Sequence, residues 1–486
     1  MVPSTAETRS FPRSVSLPLA GGGLRWGGAV VVLLAAVLAA LVGALPLVAS
    51  AIGVTAAMLL VASFAVPRVA LALLVISIPF SSYTKVSLGA FDLTATDALV
   101  GILMMGWLVP ALVARRLDLR VGPTVITILA LLSAMLLSSI TALDFPSAVE
   151  EMVKLAEVAA VALYVASQIH TSGDVRFGLL MLLAAGAAEA CVGLFQFATG
   201  RGPETFALGP FIRAYGDFSQ PNAFAGYLSM ILPFGVTMML QPSRERPLVA
   251  GATLVVAAGI AASLSRGAWV GVAIALALVA LVWSPATRRA LGVTTAVGLA
   301  AVVLGVVGLL PREVTERIAV LFENFFAFDA ASVELTPANF ALVQRLAHWQ
   351  AAWAMLLANP MLGVGPGNFD AAYALYHLQR WPVSLGHAHN YYLNTLAEGG
   401  MVGFAALVGF MAAIFVRIGQ AIRGAASGPA IFRAASVGAL GAAVALSAHN
   451  TFDNMLVHGI GVQFGLALGI VEGIAFEMGT VRAHRD

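Results

Sequence analysis

Apolar residues in this chain come in blocks of about 20, and almost no charged residue interrupts them. A transmembrane helix needs about 20 such residues to cross a hydrocarbon core about 30 Å thick. The pattern therefore predicts an all-α polytopic membrane protein with about 12–14 transmembrane helices. We place the predicted spans at residues 28–45, 49–66, 69–84, 94–114, 121–140, 148–168, 177–197, 221–240, 248–264, 267–283, 291–310, 395–416, 433–449 and 459–476.

Two polar segments separate these blocks, residues 200–222 and the longer stretch 311–388. A loop as long as the second is usually functional or has structure of its own. Within it, residues 338–358 have the periodicity of an amphipathic helix that could lie on the membrane surface, and the Asn-Pro pair at 359–360 would end it. The sequence GVGPGNF at 363–369 lacks the lysine and the preceding strand of a phosphate-binding loop, so we interpret it as a turn.

The composition narrows the class of protein further. Of 486 residues, 60% are hydrophobic and only 10% are charged, against about 25% charged in soluble proteins. The formal net charge of +2 is too small to indicate a nucleic-acid partner. The single cysteine, Cys191, excludes a disulfide framework and a cysteine metal site, and its apolar surroundings predict a small core residue.

The basic residues predict the orientation of the chain in the membrane. If the N-terminus is cytoplasmic, 17 of the 26 Lys and Arg residues fall on inner segments, and cytoplasmic loops carry such an excess. We therefore predict a cytoplasmic tail at 1–26, a transmembrane domain at 27–476 and a cytoplasmic tail at 477–486. The 311–388 loop would be extracytoplasmic, and both termini would face the cytoplasm of a bacterial inner membrane.

The outer mouth of one predicted span carries the sequence His387-Ala388-His389-Asn390, followed by two tyrosines. Histidine titrates near neutral pH and can take or give a proton. The alternative is a pair of interfacial histidines that cap the helix, with the tyrosines in the aromatic belt. Both interpretations remain open from these residues alone.

Arginines stand at the outer ends of apolar blocks. Arg266 lies between two short spans, where a guanidinium is costly unless an anion meets it. Its planar donors suit a diphosphate, although an arginine extending to lipid head groups is an equal alternative. Arg213 lies in a similar position, where the alternative is an ordinary loop with a salt bridge to Asp217.

Two further groups complete the candidate polar residues on the outer side. Arg345 and His348 share one face of the amphipathic helix, and a merely solvated helix face is the alternative. Asp453 lies at the outer end of the span 433–449, near His449, and could serve only as a partner for one of the cations.

Four segments around the long loop resemble the O-antigen ligase family, a ligase and polymerase superfamily for bacterial surface glycans. The segments are FIRAYGDFSQPNAFAGYL at 211–228, SLSRGAWVG at 263–271, RLAHWQAAWAMLLANPMLGVGPGNF at 345–369 and HAHNYYLNTLAEGGMVGF at 387–404. They occur in the order typical of the family, and the resemblance extends over residues 70–475.

The resemblance implies a glycan transferase that uses an undecaprenyl-diphosphate-linked glycan and a glycan or lipid acceptor, without a metal or another cofactor. It places the catalytic histidine at His389 and the diphosphate-binding arginines at Arg266, Arg213 and Arg345. We expect supporting roles for Asn390, His387, His348 and Asp453.

Two other functions remain open at this stage. A related enzyme could polymerise O-antigen or exopolysaccharide repeats with the same kind of donor. A transporter of lipid or solute would perform no covalent chemistry. The matching halves of Gly- or Pro-broken helices that are typical of many transporters are not visible in the sequence.

Overall fold

The computed structural model describes residues 15–16, 66–84, 86–88, 91–115, 117–306, 330, 333–336, 339–457 and 459–483. The helices in these ranges are α1 (Pro67–Ser77), α2 (Ala95–Ala114), α3 (Pro123–Ser138), α4 (Phe145–Gln168), α5 (Ser172–Thr199), α6 (Pro221–Met239), α7 (Arg246–Ala262), α8 (Arg266–Trp283), α9 (Pro285–Val306), α10 (Phe340–Ala358), α11 (Phe369–Tyr376), α12 (Tyr391–Ala425), α13 (Ala430–His449) and α14 (Ile460–Ala483). Short antiparallel strand pairs join β1 (Val15–Ser16) to β4 (Asp118–Leu119), β2 (Val86–Leu88) to β3 (Phe91–Leu93), and β5 (Ala207–Leu208) to β6 (Phe211–Ile212).

The described part is an all-α membrane protein, as the apolar blocks predict. Eight of its helices, α2, α3, α5, α6, α8, α12, α13 and α14, are long and apolar enough to cross a membrane, and α1 and α7 are shorter apolar helices. Many large apolar side chains on the helices face outwards, as a hydrocarbon solvent allows. The predicted span at 28–45, and all but the last residue of the one at 49–66, lie outside the described residues.

The centre of the bundle is formed by α6, α13 and α14, which bury most of their side chains. Helix α6 packs against α7 and α13, and α14 packs along α4. The amphipathic helix predicted at 338–358 is present as α10, which packs on α12.

Several sequence predictions of single elements differ from the structure. The span predicted at 69–84 becomes the short helix α1 and a 3₁₀ turn at Pro79–Tyr83, because Pro79 has no N–H to continue the helical bonds. Cys191 is exposed on α5 rather than buried in the core. Its apolar neighbours in the sequence did not mark a core position, because a membrane helix is also apolar on its outer face.

The helices alternate in direction, so the loops gather at two ends of the bundle. We call the end that carries residues 200–220, 263–265, 359–390 and 450–457 the site end, and the other the opposite end. At the opposite end four arginines are paired with carboxylates. The ion pairs are Arg68–Asp174 at 2.8 Å, Arg120–Glu477 at 2.8 Å, Arg417–Glu472 at 2.7 Å and Arg176–Glu245.

Helix α12, predicted as a continuous span at 395–416, is broken at Gly400, where φ is +59° and ψ is −161°. The segment 360–365 lies against this break and bonds to the backbone groups that the break frees. The four bonds are Val364 N–H to Ala397 O at 2.9 Å, Gly365 N–H to Glu398 O at 3.0 Å, Met401 N–H to Pro360 O at 2.9 Å and Val402 N–H to Met361 O at 3.2 Å. Irregular backbone is tolerated at membrane depth where protein surrounds it in this way.

The GVGPGNF sequence is therefore more than the turn that the sequence predicts. A Cβ at Gly363 would lie 2.4 Å from the carbonyl oxygen of Ala397, and one at Gly365 would lie 2.7 Å from the Cα of Ala142. Gly363 permits a close approach between the loop and α12, whereas Gly365 lies against the segment that precedes α4. His389 lies two residues before the start of α12.

We expect Gly400→Ala to lower the free energy of unfolding by at least about 1–3 kcal/mol, the cost of a strained backbone alone. Its Cβ would also lie 2.4 Å from the carbonyl carbon and oxygen of Met361. Gly409→Ala is the matched control, because it lies in the same helix with no atom within 4 Å of the new Cβ. The free energy of unfolding of this control should rise by up to about 1 kcal/mol, because alanine favours a helix more than glycine does. Melting temperatures in detergent measure both, and equal values would contradict this account of the break.

Candidate functional site

His389 is held at the start of α12 by the backbone around it. Asn390 is the N-cap, and its side-chain oxygen accepts hydrogen bonds from the N–H groups of Tyr392 and Leu393 at 3.0 and 3.1 Å. The N–H of Tyr391 bonds to the carbonyl of Asn450 at 2.9 Å, which joins this helix start to the loop after α13. His389 itself has a φ of +50°, a conformation that is uncommon for residues other than glycine and that recurs at functional sites.

The imidazole of His389 is bonded to a buried carboxylate. Its Nδ1 lies 2.9 Å from Oδ1 of Asp453, whose side chain is 6% exposed. Asp453 also accepts hydrogen bonds from the N–H of Asn454 at 3.0 Å and from Nδ2 of Asn222 at 2.8 Å. A carboxylate at Nδ1 favours the tautomer whose Nε2 is unprotonated. This pair can therefore act as a general base oriented by an acid.

The charge of Asp453 is maintained by its neighbours. Burial by itself would raise the pKa of this carboxyl group. The hydrogen bond from His389 and the positive charges of His389, His387 and Arg345 outweigh burial and hold the pKa below its usual range. Asp453 is therefore ionised at neutral pH and can stabilise an imidazolium at His389.

The other two predicted histidines have different environments. His387 accepts the backbone N–H of His389 at its Nδ1, at 3.0 Å, and its Nε2 lies 3.9 Å from Asp453. Both nitrogens of His348 are already bonded, Nδ1 to the carbonyl of Gln344 at 2.8 Å and Nε2 to the N–H of Leu385 at 3.1 Å. His348 is fully buried and so supports the loop before His389 rather than reacting.

Burial, followed by the charge of His389, lowers the pKa of His387 from 6.5 to about 4. Between these values the unfolded chain binds a proton that the folded chain does not bind. The free energy of unfolding should therefore fall as pH falls from 6.5 to 4, by up to about 3 kcal/mol from this group. The stability that Asp453 contributes is lost only below pH 3.8, the ordinary pKa of this carboxyl group, so it lies outside this window.

We expect His387→Gln to flatten this part of the pH profile. Melting temperatures at pH 7 and pH 4.5 measure the effect, with His377→Gln as the control at the same end of the bundle. If both variants retain the full dependence of the parent chain on pH, His387 is not the group that resists protonation.

The three predicted arginines converge on the same region. Arg213, between β6 and α6, donates from Nη2 to Asn222 at 2.8 Å and from Nε to the carbonyl of Ser263 at 2.8 Å. Burial, followed by the positive charges of Arg345 and Arg266, lowers the pKa of Arg213, and Asp453 opposes the shift. Arg266 is the first residue of α8 and is exposed, whereas Arg345 is half-buried on α10.

None of these three arginines forms an ion pair with a carboxylate among the described residues. At the opposite end, by contrast, four arginines form ion pairs with carboxylates. This difference between the two ends arises only in the tertiary structure. Neighbouring cations repel one another at low dielectric, so a group of them favours an anionic ligand.

One set of described side chains could hold a metal ion. Ligand atoms of His387, His389 and Asp453 all lie within 4.8 Å of one another. In the present arrangement the His389 and Asp453 atoms are joined by a hydrogen bond, and the guanidinium groups of Arg213 and Arg345 lie within electrostatic reach of Asp453. These positive charges disfavour a cation and favour an anion.

Sequence reasoning did not identify Asn222 or the role of the loop 359–365. Asn222 connects Arg213 to Asp453, since its oxygen accepts from the arginine and its nitrogen donates to the carboxylate. Asn222 lies in the segment 211–228, which resembles the O-antigen ligase family, so this resemblance could have identified it. The loop contact had no comparable signal, because both partners are backbone groups far apart in the chain.

Fold and site together define a polytopic membrane protein with a histidine–aspartate pair and a group of arginines at one end of its helices. Residues 250–408 match the family model described as O-Antigen ligase, and this confirms the predicted resemblance over that range. The match supports a glycan ligase-type role and includes Arg266, Arg345 and His389. Arg213 and Asp453 lie outside the matched range. No curated protein matches the chain.

Proposed function

We propose that this protein transfers a glycan from an undecaprenyl-diphosphate donor to an acceptor hydroxyl at the outer face of the inner membrane. The observation that carries the proposal is a group of arginines, without carboxylate partners in the part of the chain that the structure describes, beside a buried His389–Asp453 pair. The arginines suit a diphosphate, because a guanidinium can donate two parallel hydrogen bonds to it. His389 suits an acceptor hydroxyl, because its imidazole can accept the hydroxyl proton.

The proposed step is a displacement at the anomeric carbon of the donor sugar. The acceptor oxygen forms a bond to that carbon, and its proton passes to Nε2 of His389. The bond from the carbon to the diphosphate oxygen breaks, and its electron pair leaves with the lipid diphosphate. Asp453 stabilises the imidazolium, while Arg266, Arg213 and Arg345 stabilise the charge that develops on the leaving group. The lipid tail of the donor explains why the site lies at the end of a membrane bundle.

The proposal includes the predicted orientation and domain limits. Tails at 1–26 and 477–486 would be cytoplasmic, and the site end with the 311–388 loop would be outside. The polar site end agrees with this orientation, since its arginines need an anion that a lipid-linked donor supplies. Helix α14 continues past residue 476 to Ala483, so the helix would extend into the C-terminal tail.

A reporter that is active only in the cytoplasm tests this orientation when it is fused after residue 330. We expect little activity there and strong activity after residue 244, in the loop at the opposite end. Strong activity after residue 330 would reverse the orientation and remove the site from the outer face.

Purified protein with a lipid-diphosphate glycan tests the function itself. Glycan transfer must release undecaprenyl diphosphate, whereas a lipid or solute transporter would release none. A ligase should add one finished glycan to its acceptor, and a polymerase should produce a ladder of lengths. Absence of release with any such donor would refute the proposal.

The proposed chemistry requires no metal. Dialysis against a chelator should therefore leave the transfer rate unchanged, and added divalent cations should not raise it. Loss of activity with the chelator, restored by one cation, would mean that His387, His389 and Asp453 act as ligands instead of as a base and its partner.

A further inference from the structure

The side chain of Asn222 lies between a cation and an anion of the site. Its Oδ1 accepts a hydrogen bond from Nη2 of Arg213 at 2.8 Å, and its Nδ2 donates to Oδ2 of Asp453 at 2.8 Å. A guanidinium only donates and a carboxylate only accepts, so the amide can take just one orientation between them. Arg213 and Asp453 are thus joined through the amide, and no ion pair joins them directly.

The backbone and two further bonds hold this arrangement in place. Asn222 is the second residue of α6, a helix whose first turns are buried in the centre of the bundle. Nε of Arg213 donates to the carbonyl of Ser263 at 2.8 Å, and Oδ1 of Asp453 lies 2.9 Å from Nδ1 of His389. The amide therefore bridges two charged groups that are each anchored elsewhere as well.

The separation leaves both charged groups usable. A guanidinium has five N–H donors, and in the part of the chain that the structure describes only two of those of Arg213 are bonded. Three donors therefore remain for an anion. The Oδ1 oxygen of Asp453 likewise remains with His389.

Opposite charges in this position would otherwise attract each other. Burial lowers the pKa of Arg213 and the charge of Asp453 opposes this shift, so the two groups are within electrostatic reach. Such an attraction is stronger in half-buried surroundings than in water. At the opposite end comparable groups do meet, as in the Arg120–Glu477 pair at 2.8 Å. A direct Arg213–Asp453 pair would occupy the cation and draw the carboxylate away from the histidine.

We infer that Asn222 is a positioning residue that keeps Arg213 and Asp453 from pairing with each other. The guanidinium thereby stays open to the lipid diphosphate, and the carboxylate stays with His389. The inference rests on the proposed function. It adds to the His389–Asp453 pair a third group, which acts only through its two charged neighbours.

Binding of undecaprenyl diphosphate to the purified full chain in detergent, together with single-turnover transfer, tests the inference. We expect Asn222→Ala to weaken binding about tenfold or more, because Arg213 turns to Asp453 and its charge-assisted bonds to the diphosphate are lost. The transfer rate at saturating donor should fall as well, because Asp453 leaves His389. Asn359→Ala is the matched control and should bind as the parent does. Asn359 is the C-cap of α10 at the same end of the bundle and takes part in none of these bonds.

A double-mutant cycle separates this role from simple packing. In the Asn222→Ala background, Asp453→Asn removes the carboxylate that would capture Arg213, so donor affinity should return to within a few-fold of the parent. The rate should remain low, because His389 still lacks its ionised partner. Asp453→Asn alone should change affinity little, so the recovery measures the ion pair. A double variant that binds as weakly as Asn222→Ala, or more weakly, would make Asn222 a packing residue and overturn the inference.

Asn222→Asp tests the same point with a side chain of the same size. Its carboxylate would pair with Arg213 directly, so we expect weak binding that Asp453→Asn does not restore. Recovery of affinity in this background, or parental affinity of Asn222→Asp by itself, would contradict the inference.

Failure of this inference differs from failure of the proposed function. If the parent chain binds no prenyl diphosphate and releases none, the function itself is wrong. If the parent binds and Arg266→Lys weakens binding, but Asn222→Ala binds and reacts as the parent does, only the role of Asn222 is wrong.

Discussion

His389→Ala should lower the rate of glycan transfer about 10²–10⁴-fold, the usual contribution of a positioned general base. Donor binding should stay within a few-fold of the parent, because the proposal assigns the diphosphate to the arginines and not to His389. The measurement is single-turnover release of undecaprenyl diphosphate at equal folded concentration. A fully active His389→Ala protein would end the proposed mechanism.

The control for this experiment must lie outside the hydrogen-bonded cluster around His389. His387 is bonded to the backbone of His389 and lies 3.9 Å from Asp453, so its replacement would disturb the reacting pair. His377 is the better choice, because it lies at the same end of the bundle and its Nδ1 is 2.9 Å from the carbonyl oxygen of Leu378, away from the His389–Asp453 pair. His377→Ala should keep the parental rate.

Asp453→Asn extends the same prediction to the partner of His389. The amide should reproduce the size of the side chain but cannot stabilise the imidazolium, so the rate should again fall by a large factor with little change in donor affinity. If Asp453→Asn loses donor binding instead of rate, the carboxylate serves mainly to position Asn222 and Arg213.

Arg266→Lys should lower transfer about 10²-fold, on the scale of losing one well-placed donor to a developing negative charge. Lysine keeps the charge but cannot form the two parallel bonds of a guanidinium. Arg288→Lys is the matched control. It too is an arginine near the start of a helix, but it lies on α9 at the opposite end, where its Nε donates to the carbonyl of Ser284 at 3.4 Å.

The two variants separate diphosphate binding from anchoring at lipid head groups. Both arginines are exposed, so removal of a head-group contact should affect them alike. A selective loss for Arg266→Lys, expressed in donor affinity and in rate, supports the diphosphate role. Equal and small effects would favour simple anchoring.

The membrane helices could be predicted because their signal is local. A block of about 20 apolar residues must cross the bilayer whatever its neighbours are, and eight such helices are present in the described residues. The amphipathic helix α10 followed from its periodicity in the same way. The break at Gly400 could not be predicted, because the segment that satisfies its backbone groups precedes it by about 40 residues of chain.

The sequence by itself determined the kinds of residue available for chemistry and their positions at the ends of the apolar blocks. Arg266 could be singled out because a guanidinium next to hydrocarbon is costly without an anion, whereas the choice of His389 and Arg345 rested on the resemblance to the O-antigen ligase family. Only the tertiary structure decided which of these groups meet. Asp453 could have paired with any nearby cation, and it lies against His389 because Asn450 and Tyr391 join the loop after α13 to the start of α12. Four arginines of the opposite end meet carboxylates, whereas Arg213, Arg266 and Arg345 form no ion pair among the described residues. The packing of the helices fixes which charged groups come within bonding distance.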